Sequence, residues 1–488
     1  MRHVRVSALA SLTVALGCLP SGVVGTTGGG VSSAAASSTS TTTSTSTSTT
    51  TTTTTSTSTS TGTSTSSVSA GASTTGTTTG AVTTGSASTG ASTTAGSITT
   101  GTTGGTNTTT GSTTGLTTGS TTGGPIFCPN LTPSSSPCSG AACPFAQETP
   151  GQTFALGSLD PASVGTPAVT PLAASNRTLF FSDDPETISA SGILYQDSFS
   201  GLVRLFVYHV NGGSLARKVS VVLTNAAATD ASATITQSGL AGPSTSYAYA
   251  GACAVHRWLQ SGTCATVSVP AGTSVLLDAT LDGTSIATDD LVNAIYDLQL
   301  SGTLTISAVT VQATTDTLSA FSGLSVLPRG AHQRGTYAPA DVALQPLPAD
   351  CLYDTSLGPL ALPLGVPGAG GATIAGTDAT MGTSDTLDGQ YGVLTTLQLP
   401  ATASDGRQLA LALNPRGGAY EGAALVTSGL TAAGAYLLPP GNASVSDSTQ
   451  AILAGLYAPN PQTSTTLSFG WMMTGGSSAP VDLVLIPY

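Results

Sequence analysis

The chain has 488 residues, of which only 7% are charged, and its net charge at pH 7 is −12. Lys218 is the single lysine. No basic stripe is therefore available to neutralise phosphates, and nucleic acid is excluded as a partner.

The N-terminus has the pattern of an export signal, assigned to residues 1–25. Two arginines precede the apolar stretch Val6–Leu16, which is too short to span a bilayer. Two cleavage sites compete: Val23-Val24-Gly25 suits an ordinary signal peptidase, and Ala15-Leu16-Gly17-Cys18 resembles a lipobox that would leave a lipidated Cys18. No later segment predicts a transmembrane span. The expected location is extracellular or on the cell surface.

Residues 26–124 consist mainly of Thr, Ser and Gly with almost no large apolar side chain. Such a segment cannot offset its ordering entropy, so we expect a disordered stalk of the kind that carries O-glycans. Fully extended, it would reach at most about 350 Å. N-glycosylation sequons, which matter only in a eukaryotic host, begin at Asn107, Asn130, Asn176 and Asn442.

Six cysteines remain after Cys18, an even number that predicts disulfides in an exported chain. Cys253 and Cys264 bracket one short segment and are expected to pair. Two further bridges are expected among the other four, with the pairing left open: Cys128, Cys138, Cys143 and Cys351. A zinc site is disfavoured because no Cys-x2-Cys pair occurs. The cysteine-containing neck is assigned to residues 125–174.

Residues 175–328 predict a first β-sandwich. Val203, Leu205 and Val207 alternate with Arg204, Phe206 and Tyr208, the period of a strand with two distinct faces. Within residues 303–313 the apolar positions change parity, which predicts a β-bulge. Residues 249–260 predict one short helix, since their apolar side chains recur at helical spacing.

Residues 329–488 follow the same alternation and predict a second sandwich. Leu409, Leu411 and Leu413 share one face of a strand, as do Val481, Leu483 and Leu485. Evenly spaced short strands separated by turn residues are typical of sandwiches and barrels. The predicted fold is therefore all-β: two β-sandwich domains in tandem after a disordered stalk, with one short helix in the first.

Several phrases resemble an uncharacterised family of exported bacterial cell-surface proteins. They are Val221-Val222-Leu223-Thr224-Asn225, Ser238-Gly239-Leu240-Ala241-Gly242-Pro243-Ser244, the helix around Ala254-Val255 and Trp258-Leu259-Gln260-Ser261, Arg334-Gly335-Thr336-Tyr337, Gly389-Gln390-Tyr391-Gly392-Val393-Leu394, and Asn414-Pro415-Arg416-Gly417-Gly418. The resemblance covers roughly residues 175–488 and implies no established activity. Some members carry a copper amine oxidase-like envelope module.

Amine oxidase chemistry is not expected here. The cofactor of that module is made from the Tyr of an Asn-Tyr pair beside three His ligands, and no Asn-Tyr pair occurs in this chain. After the signal, the histidines are His209, His256 and His332, too dispersed for a His-x-His copper motif. Other catalytic signatures are absent too: there is no G-x-S-x-G elbow in the folded part, no H-E-x-x-H, and no P-loop. We predict no catalytic residues.

Asp378, Asp385 and Asp388 lie in a short Gly-rich stretch with several Thr and Ser oxygens. Ca²⁺ takes six to eight oxygen ligands, so this stretch is the candidate calcium site, and Ca²⁺ is the one candidate cofactor. The alternative is that these residues simply form turns. A weaker cluster consists of Asp282, Asp289 and Asp290.

His256-Arg257-Trp258, on the predicted helix, is the candidate ligand contact. A Trp beside Arg and His could stack on a sugar or peptide. The alternative is that Trp258 packs on the open end of the sandwich. The loop Arg416–Tyr420 is a further candidate for binding, but its Gly pair favours a hairpin turn.

The sequence favours a secreted or surface-displayed, non-enzymatic structural or adhesive protein. Its partner would be a cell-envelope or extracellular polymer, glycan or protein. The first alternative is a carbohydrate-binding module and the second an extracellular hydrolase. An exposed aromatic row would favour the module, and paired acidic groups in a cleft would favour the hydrolase.

Overall fold

The computed structural model describes residue 138 and residues 143–488, except 263–264, 347, 349, 366–372, 417 and 428. The predicted signal and stalk, with most of the first half of the neck, lie outside the described residues. None of the helices in the described part is long and apolar enough to cross a membrane.

Strands dominate the described residues, and the all-β prediction is confirmed. In chain order they are β1 Thr153–Ala155, β2 Val169–Ala173, β3 Thr178–Ser182, β4 Thr187–Ile188, β5 Gly192–Asn211, β6 Arg217–Thr224, β7 Ala231–Ser244, β8 Ala265–Val269, β9 Ser274–Leu276, β10 Leu291–Gln312, β11 Arg334–Tyr337, β12 Asp341–Pro346, β13 Tyr353–Asp354, β14 Leu360–Leu364, β15 Ile374–Asp378, β16 Thr383–Leu387, β17 Leu394–Thr402, β18 Leu409–Pro415, β19 Gly422–Val426, β20 Gly434–Leu438, β21 Gln450–Tyr457, β22 Thr465–Met472 and β23 Val481–Pro487. The helices are α1 Tyr247–Gln260, α2 Ala279–Gly283 and α3 Thr317–Phe321, and a 3-10 turn spans Thr355–Leu357. Helix α1 confirms the predicted short helix.

The strands form three sheets. The largest has eleven strands in the order β16-β15-β11-β3-β5-β10-β6-β9, with β4, β7 and β8 attached beside this path. A seven-stranded sheet runs β2-β12-β17-β22-β19-β20, with β13 beside β17. A five-stranded sheet runs β1-β21-β18-β23-β14.

Strands β5 and β10 organise the largest sheet because they are 20 and 22 residues long and pair antiparallel along most of their length. Their register shifts between Ala308 and Val309, where the change of apolar parity predicted a bulge. The first half of β10 pairs with β7 and its second half with β6.

The two faces of β5 are buried in different clusters, as its alternation requires. Val203, Leu205 and Val207 pack in a core within the eleven-stranded sheet. Phe206 and Tyr208 pack in a larger core that also contains residues of the other two sheets, among them Trp471. The two predicted sandwiches therefore share one hydrophobic core.

The sheets also cross the predicted boundaries. Strands β11, β15 and β16 follow residue 328, yet they extend the eleven-stranded sheet through pairing of β11 with β3. Strand β2, assigned to the neck, pairs with β12. All of the described residues fall in one compact unit. Alternation fixes which face of a strand is apolar, but it does not specify the pairing partner.

Helix α1 lies unusually close to its neighbours because small residues line the contact. A Cβ added to Gly239 of β7 would lie 2.1 Å from the carbonyl oxygen of Ala254, and one added to Gly251 would lie 2.1 Å from the carbonyl oxygen of Gly475. Only glycine permits these approaches. They bring the loop after β22 against the start of α1.

Candidate functional site

The predicted ligand contact on α1 is corrected by the structure. Trp258 is only 1% exposed and packs in the large core, with the guanidinium carbon of Arg204 4.3 Å from its ring centre. Arg257 donates to the carbonyl of Leu240, and Nε2 of His256 lies 3.2 Å from the carbonyl oxygen of Ala435. The apolar ring is more stable in the core than in water, so no exposed stacking platform forms.

Cys253 carries a free thiol, so the predicted Cys253–Cys264 bridge is not formed. Its side chain packs against the large core. Cys264 itself lies outside the described residues. In the neck, Cys138 and Cys143 form a disulfide, and Cys351 is disulfide-bonded as well. Both findings agree with two bridges among the remaining cysteines.

The predicted calcium ligands lie in the hairpin of β15 and β16 or directly after it, and protein groups donate hydrogen bonds to them. Asp378 is buried and accepts from Nε of Arg334 at 3.1 Å, while Asp385 pairs with Arg329. Asp388 accepts from the side-chain amide of Gln333 at 3.2 Å.

Burial favours the neutral form of Asp378, but hydrogen bonds from Thr380 and Arg334 hold its pKa below the usual value. Because arginine already supplies the positive charge, the three carboxylates do not gather around a cation position, and this prediction is corrected. Asp282, of the weaker cluster, pairs likewise with Lys218 at 3.0 Å.

A different site lies at the junction of the two predicted domains. It is a cavity of about 260 Å³, which we call the junction cavity. Its lining comprises Asp183, Glu186, Phe206, Tyr208, Tyr247, His332, Tyr391, Gly475, Gly476 and Ser477. These residues come from the turn after β3, from β5, from the start of α1, from the loop before β11, and from segments next to β17 and β22.

The acidic end of the cavity is built by the turn Asp183-Asp184-Pro185-Glu186 between β3 and β4. Oε2 of Glu186 lies 2.8 Å from Nε2 of His332, and Oδ2 of Asp183 lies 3.9 Å from Nδ1 of the same ring. The buried Asp184 faces away from this pair and accepts from the backbone amides of Gly330 at 2.9 Å and His332 at 3.1 Å. Asp184 thereby holds the His332 loop beside the turn.

Carboxyl groups dominate the electrostatics of the cavity. Burial, followed by the neighbouring carboxylates of Glu186 and Asp184, raises the pKa of Asp183 well above its usual value. The pKa of the Tyr208 phenol is raised by burial and then by Glu186 and Asp183. No lysine or arginine is among the residues that line the cavity.

The aromatic end of the cavity is formed by tyrosines. Tyr391 donates its hydroxyl to the carbonyl of Ser477 at 2.8 Å, and Tyr247 donates to the carbonyl of Asp289 at 3.0 Å. The Tyr208 ring lies against Gly475, where an added Cβ would come within 2.2 Å of a ring carbon. Glycine at this position therefore allows the loop to close over the ring.

Sequence reasoning did not select these residues. The Asp-Asp-Pro-Glu run after an apolar strand was a local signal that was available. His332 was noted only as a histidine without copper spacing, and its contact with Asp184 joins residues separated by 148 positions. That separation exceeds what local patterns can predict.

No protein-family model matches this chain, and no curated protein is significantly similar to it. The resemblance to exported bacterial surface proteins therefore stays a prediction.

Proposed function

We propose that this protein is a secreted or surface-displayed, non-enzymatic adhesive protein that binds a neutral carbohydrate in the junction cavity. The observation that carries the proposal is the combination of tyrosine rings with two carboxyl groups, and without a lining lysine or arginine, in one cavity. A binding site of this kind offers apolar walls and a few polar groups that fix orientation.

The chemistry of a sugar matches both ends of the cavity. The C–H face of a sugar ring packs on partly exposed aromatic rings such as those of Tyr247 and Tyr391, and its hydroxyl groups donate to carboxylates such as that of Glu186. Negative charge without a lining lysine or arginine disfavours sulfated or uronic acid polymers. A volume of about 260 Å³ suits one sugar residue rather than a long chain segment.

The export signal and the stalk predicted from the sequence support this role. A spacer rich in Thr and Ser would hold the sandwich region away from the cell, where an extracellular glycan is accessible. The expected partner is therefore a polymer of the envelope or the surroundings rather than a cytoplasmic metabolite.

The test is a glycan array followed by titration of the best neutral glycan against the full chain. Tyr247→Ala should weaken binding by about tenfold, because losing one tyrosine contact costs about 1–2 kcal/mol. Tyr436→Ala is the matched control, since Tyr436 does not line the cavity. Absence of any neutral glycan ligand, or equal affinity in Tyr247→Ala and Tyr436→Ala, would refute the proposal.

A second candidate, an extracellular glycoside hydrolase, is supported by the pairing of Asp183 with Glu186. A carboxyl group with a raised pKa beside a second carboxyl group is an arrangement used for general acid catalysis. Release of reducing ends from a polysaccharide, lost in Asp183→Asn and Glu186→Gln but retained in Glu148→Gln, would favour this candidate over simple binding.

A further inference from the structure

Asp183, Glu186 and His332 bring three donor atoms of metal-binding type together at the mouth of the junction cavity. One donor atom from each residue lies within 4.8 Å of the other two. We propose that these three side chains bind one divalent first-row transition metal ion, with Zn²⁺ and Mn²⁺ as the ions to test. This inference goes beyond carbohydrate binding, and its three residues also line the cavity proposed for the sugar.

The carboxylate of Asp183 supplies the main observation. It is four-fifths buried, yet no described residue donates a hydrogen bond to it, and its Oδ1 is fully enclosed. The nearest group able to carry positive charge is His332, whose Nδ1 is 3.9 Å away. A buried carboxylate normally has hydrogen-bond donors or a cation beside it, because desolvation is costly. A bound cation would meet that requirement.

The donor set discriminates between metals. Ca²⁺ and Mg²⁺ prefer sites made of oxygen alone, whereas an imidazole nitrogen suits Zn²⁺ and its neighbours in the first transition row. Two carboxylates and one imidazole would leave a fourth position, which a water molecule could fill. Nε2 of His332 and Oε2 of Glu186 are 2.8 Å apart. Donors on one tetrahedral zinc ion lie about 3.4 Å apart, and Asp183 lies nearer the other ring nitrogen, Nδ1, at 3.9 Å, so the half-exposed His332 ring must turn to present one nitrogen to both carboxylates.

The surroundings of the three residues hold them in place. Asp184 ties the His332 backbone to the turn that carries Asp183 and Glu186, and Nη1 of Arg334 donates to the Asp184 carbonyl at 3.4 Å. Outer contacts of this kind orient metal ligands before the ion arrives. The His332 side chain is 51% exposed, which provides a path for entry from solvent.

The experiment is isothermal titration of the untagged, EDTA-treated full chain with ZnCl2, MnCl2 and CaCl2. We expect one Zn²⁺ or Mn²⁺ per chain and Ca²⁺ binding at least about tenfold weaker. Glu186→Gln and His332→Ala should each lower the affinity by at least about tenfold, the loss seen even when outer contacts are removed. Glu148→Gln, at an exposed carboxylate of the neck, is the matched control and should bind like the unaltered chain.

Absence of saturable Zn²⁺ or Mn²⁺ binding at millimolar concentration would overturn the proposal, as would equal affinity in all the variants. Circular dichroism identifies a variant that fails to fold. If Glu186→Gln does not fold, His332→Ala still tests the proposal, because the His332 side chain is half exposed. Glycan binding is measured separately on metal-free protein, so its failure leaves the metal result unaffected, and the reverse also holds.

Discussion

Arg204 and Asp341 form a salt bridge between the two predicted domains, with Nη2 and Oδ1 2.8 Å apart. Nε of Arg204 also lies 2.8 Å from Oδ1 of Asp297, and Nη1 donates to the carbonyl of Ala340 at 2.9 Å. Burial alone would lower the pKa of Arg204, but the carboxylates of Asp297 and Asp341 raise it. This arginine joins β5, β10 and β12 beneath the ring of Trp258.

Replacing Arg204 should therefore be strongly destabilising. Arg204→Met would remove the arginine that pairs with the buried Asp297. We therefore expect the free energy of unfolding to fall by about 3–5 kcal/mol. Arg407→Met, which removes a partly exposed pair with Asp405, should cost about 1 kcal/mol or less. Urea unfolding of both variants measures the difference. Equal losses would show that the Arg204 pairs contribute no more than a surface pair.

The shared core predicts how the protein unfolds. Phe206 of the first predicted domain and Trp471 of the second belong to one buried cluster, and β11 continues the sheet of β3. We expect the described region to unfold in a single cooperative transition, because neither half retains its core without the other. Scanning calorimetry of the full chain is the measurement. Two resolved transitions would indicate that residues 175–328 and 329–488 are independent domains after all.

Local patterns were sufficient for the strands but not for their arrangement. The alternation around Val203 and Phe206 predicted the two faces of β5, and the parity change before Val309 predicted the register shift. Whether β11 pairs with β3 or with a later strand depends on complementarity between distant surfaces. Alternation carries no information about that choice.

The predictions of a calcium site and of a ligand contact were wrong for a related reason. Asp378 and Trp258 were selected for their residue types, but each has a partner far away in sequence: Arg334 for the carboxylate and Arg204 for the ring. Because of these partners, Asp378 and Trp258 make structural contacts and do not form a calcium site or a stacking platform. The sequence alone does not indicate a site at His332, because the carboxylates beside it are distant in sequence.

The cysteines give a direct chemical test. Cys253→Ser should change the free energy of unfolding by less than about 1 kcal/mol, because no covalent link is lost. Cys351→Ser should cost about 2–4 kcal/mol, since that residue is disulfide-bonded. Peptide mapping without reduction should recover Cys253 unlinked. A Cys253–Cys264 peptide would contradict the structure and restore the prediction made from the sequence.

His209 predicts a loss of stability in mild acid. Its Nδ1 lies 2.9 Å from the carbonyl oxygen of Pro185, so Nδ1 carries the proton and Nε2 accepts from Ser182 at 2.9 Å. Burial lowers the pKa of His209 to about 4. In the unfolded chain His209 therefore takes up a proton near pH 6.5, whereas in the folded chain it stays neutral until about pH 4.

The contribution of His209 to stability is consequently complete above about pH 6.5 and falls as the pH drops, by up to about 1.4 kcal/mol per pH unit. Urea unfolding at pH 7.5, 6, 5 and 4.5 measures the slope. His209→Gln should have lower stability at pH 7.5 but a shallower loss between pH 6.5 and 4. An unchanged slope in His209→Gln would assign the acid sensitivity to other groups.

The β15–β16 hairpin provides the final prediction, which separates an ion-paired hairpin from a calcium site. Asp378 is fully buried against the fully buried Arg334, and it accepts from the backbone amide of Thr380 at 2.9 Å. Asp378→Asn keeps the shape of the side chain but removes its charge. Arg334 would then be buried without its counter-ion, and we expect a loss of about 3–5 kcal/mol.

Asp388→Asn is the matched control, because Asp388 is exposed and meets only Gln333; it should change stability by less than about 0.5 kcal/mol. Thermal melts in EDTA and in millimolar Ca²⁺ complete the test. Because Asp378 and Asp385 already pair with arginine, Ca²⁺ should not stabilise the protein, and its melting temperature should not change. A rise with Ca²⁺ in the unaltered chain that disappears in both variants would show that the three aspartates bind the cation despite their pairing in this structure.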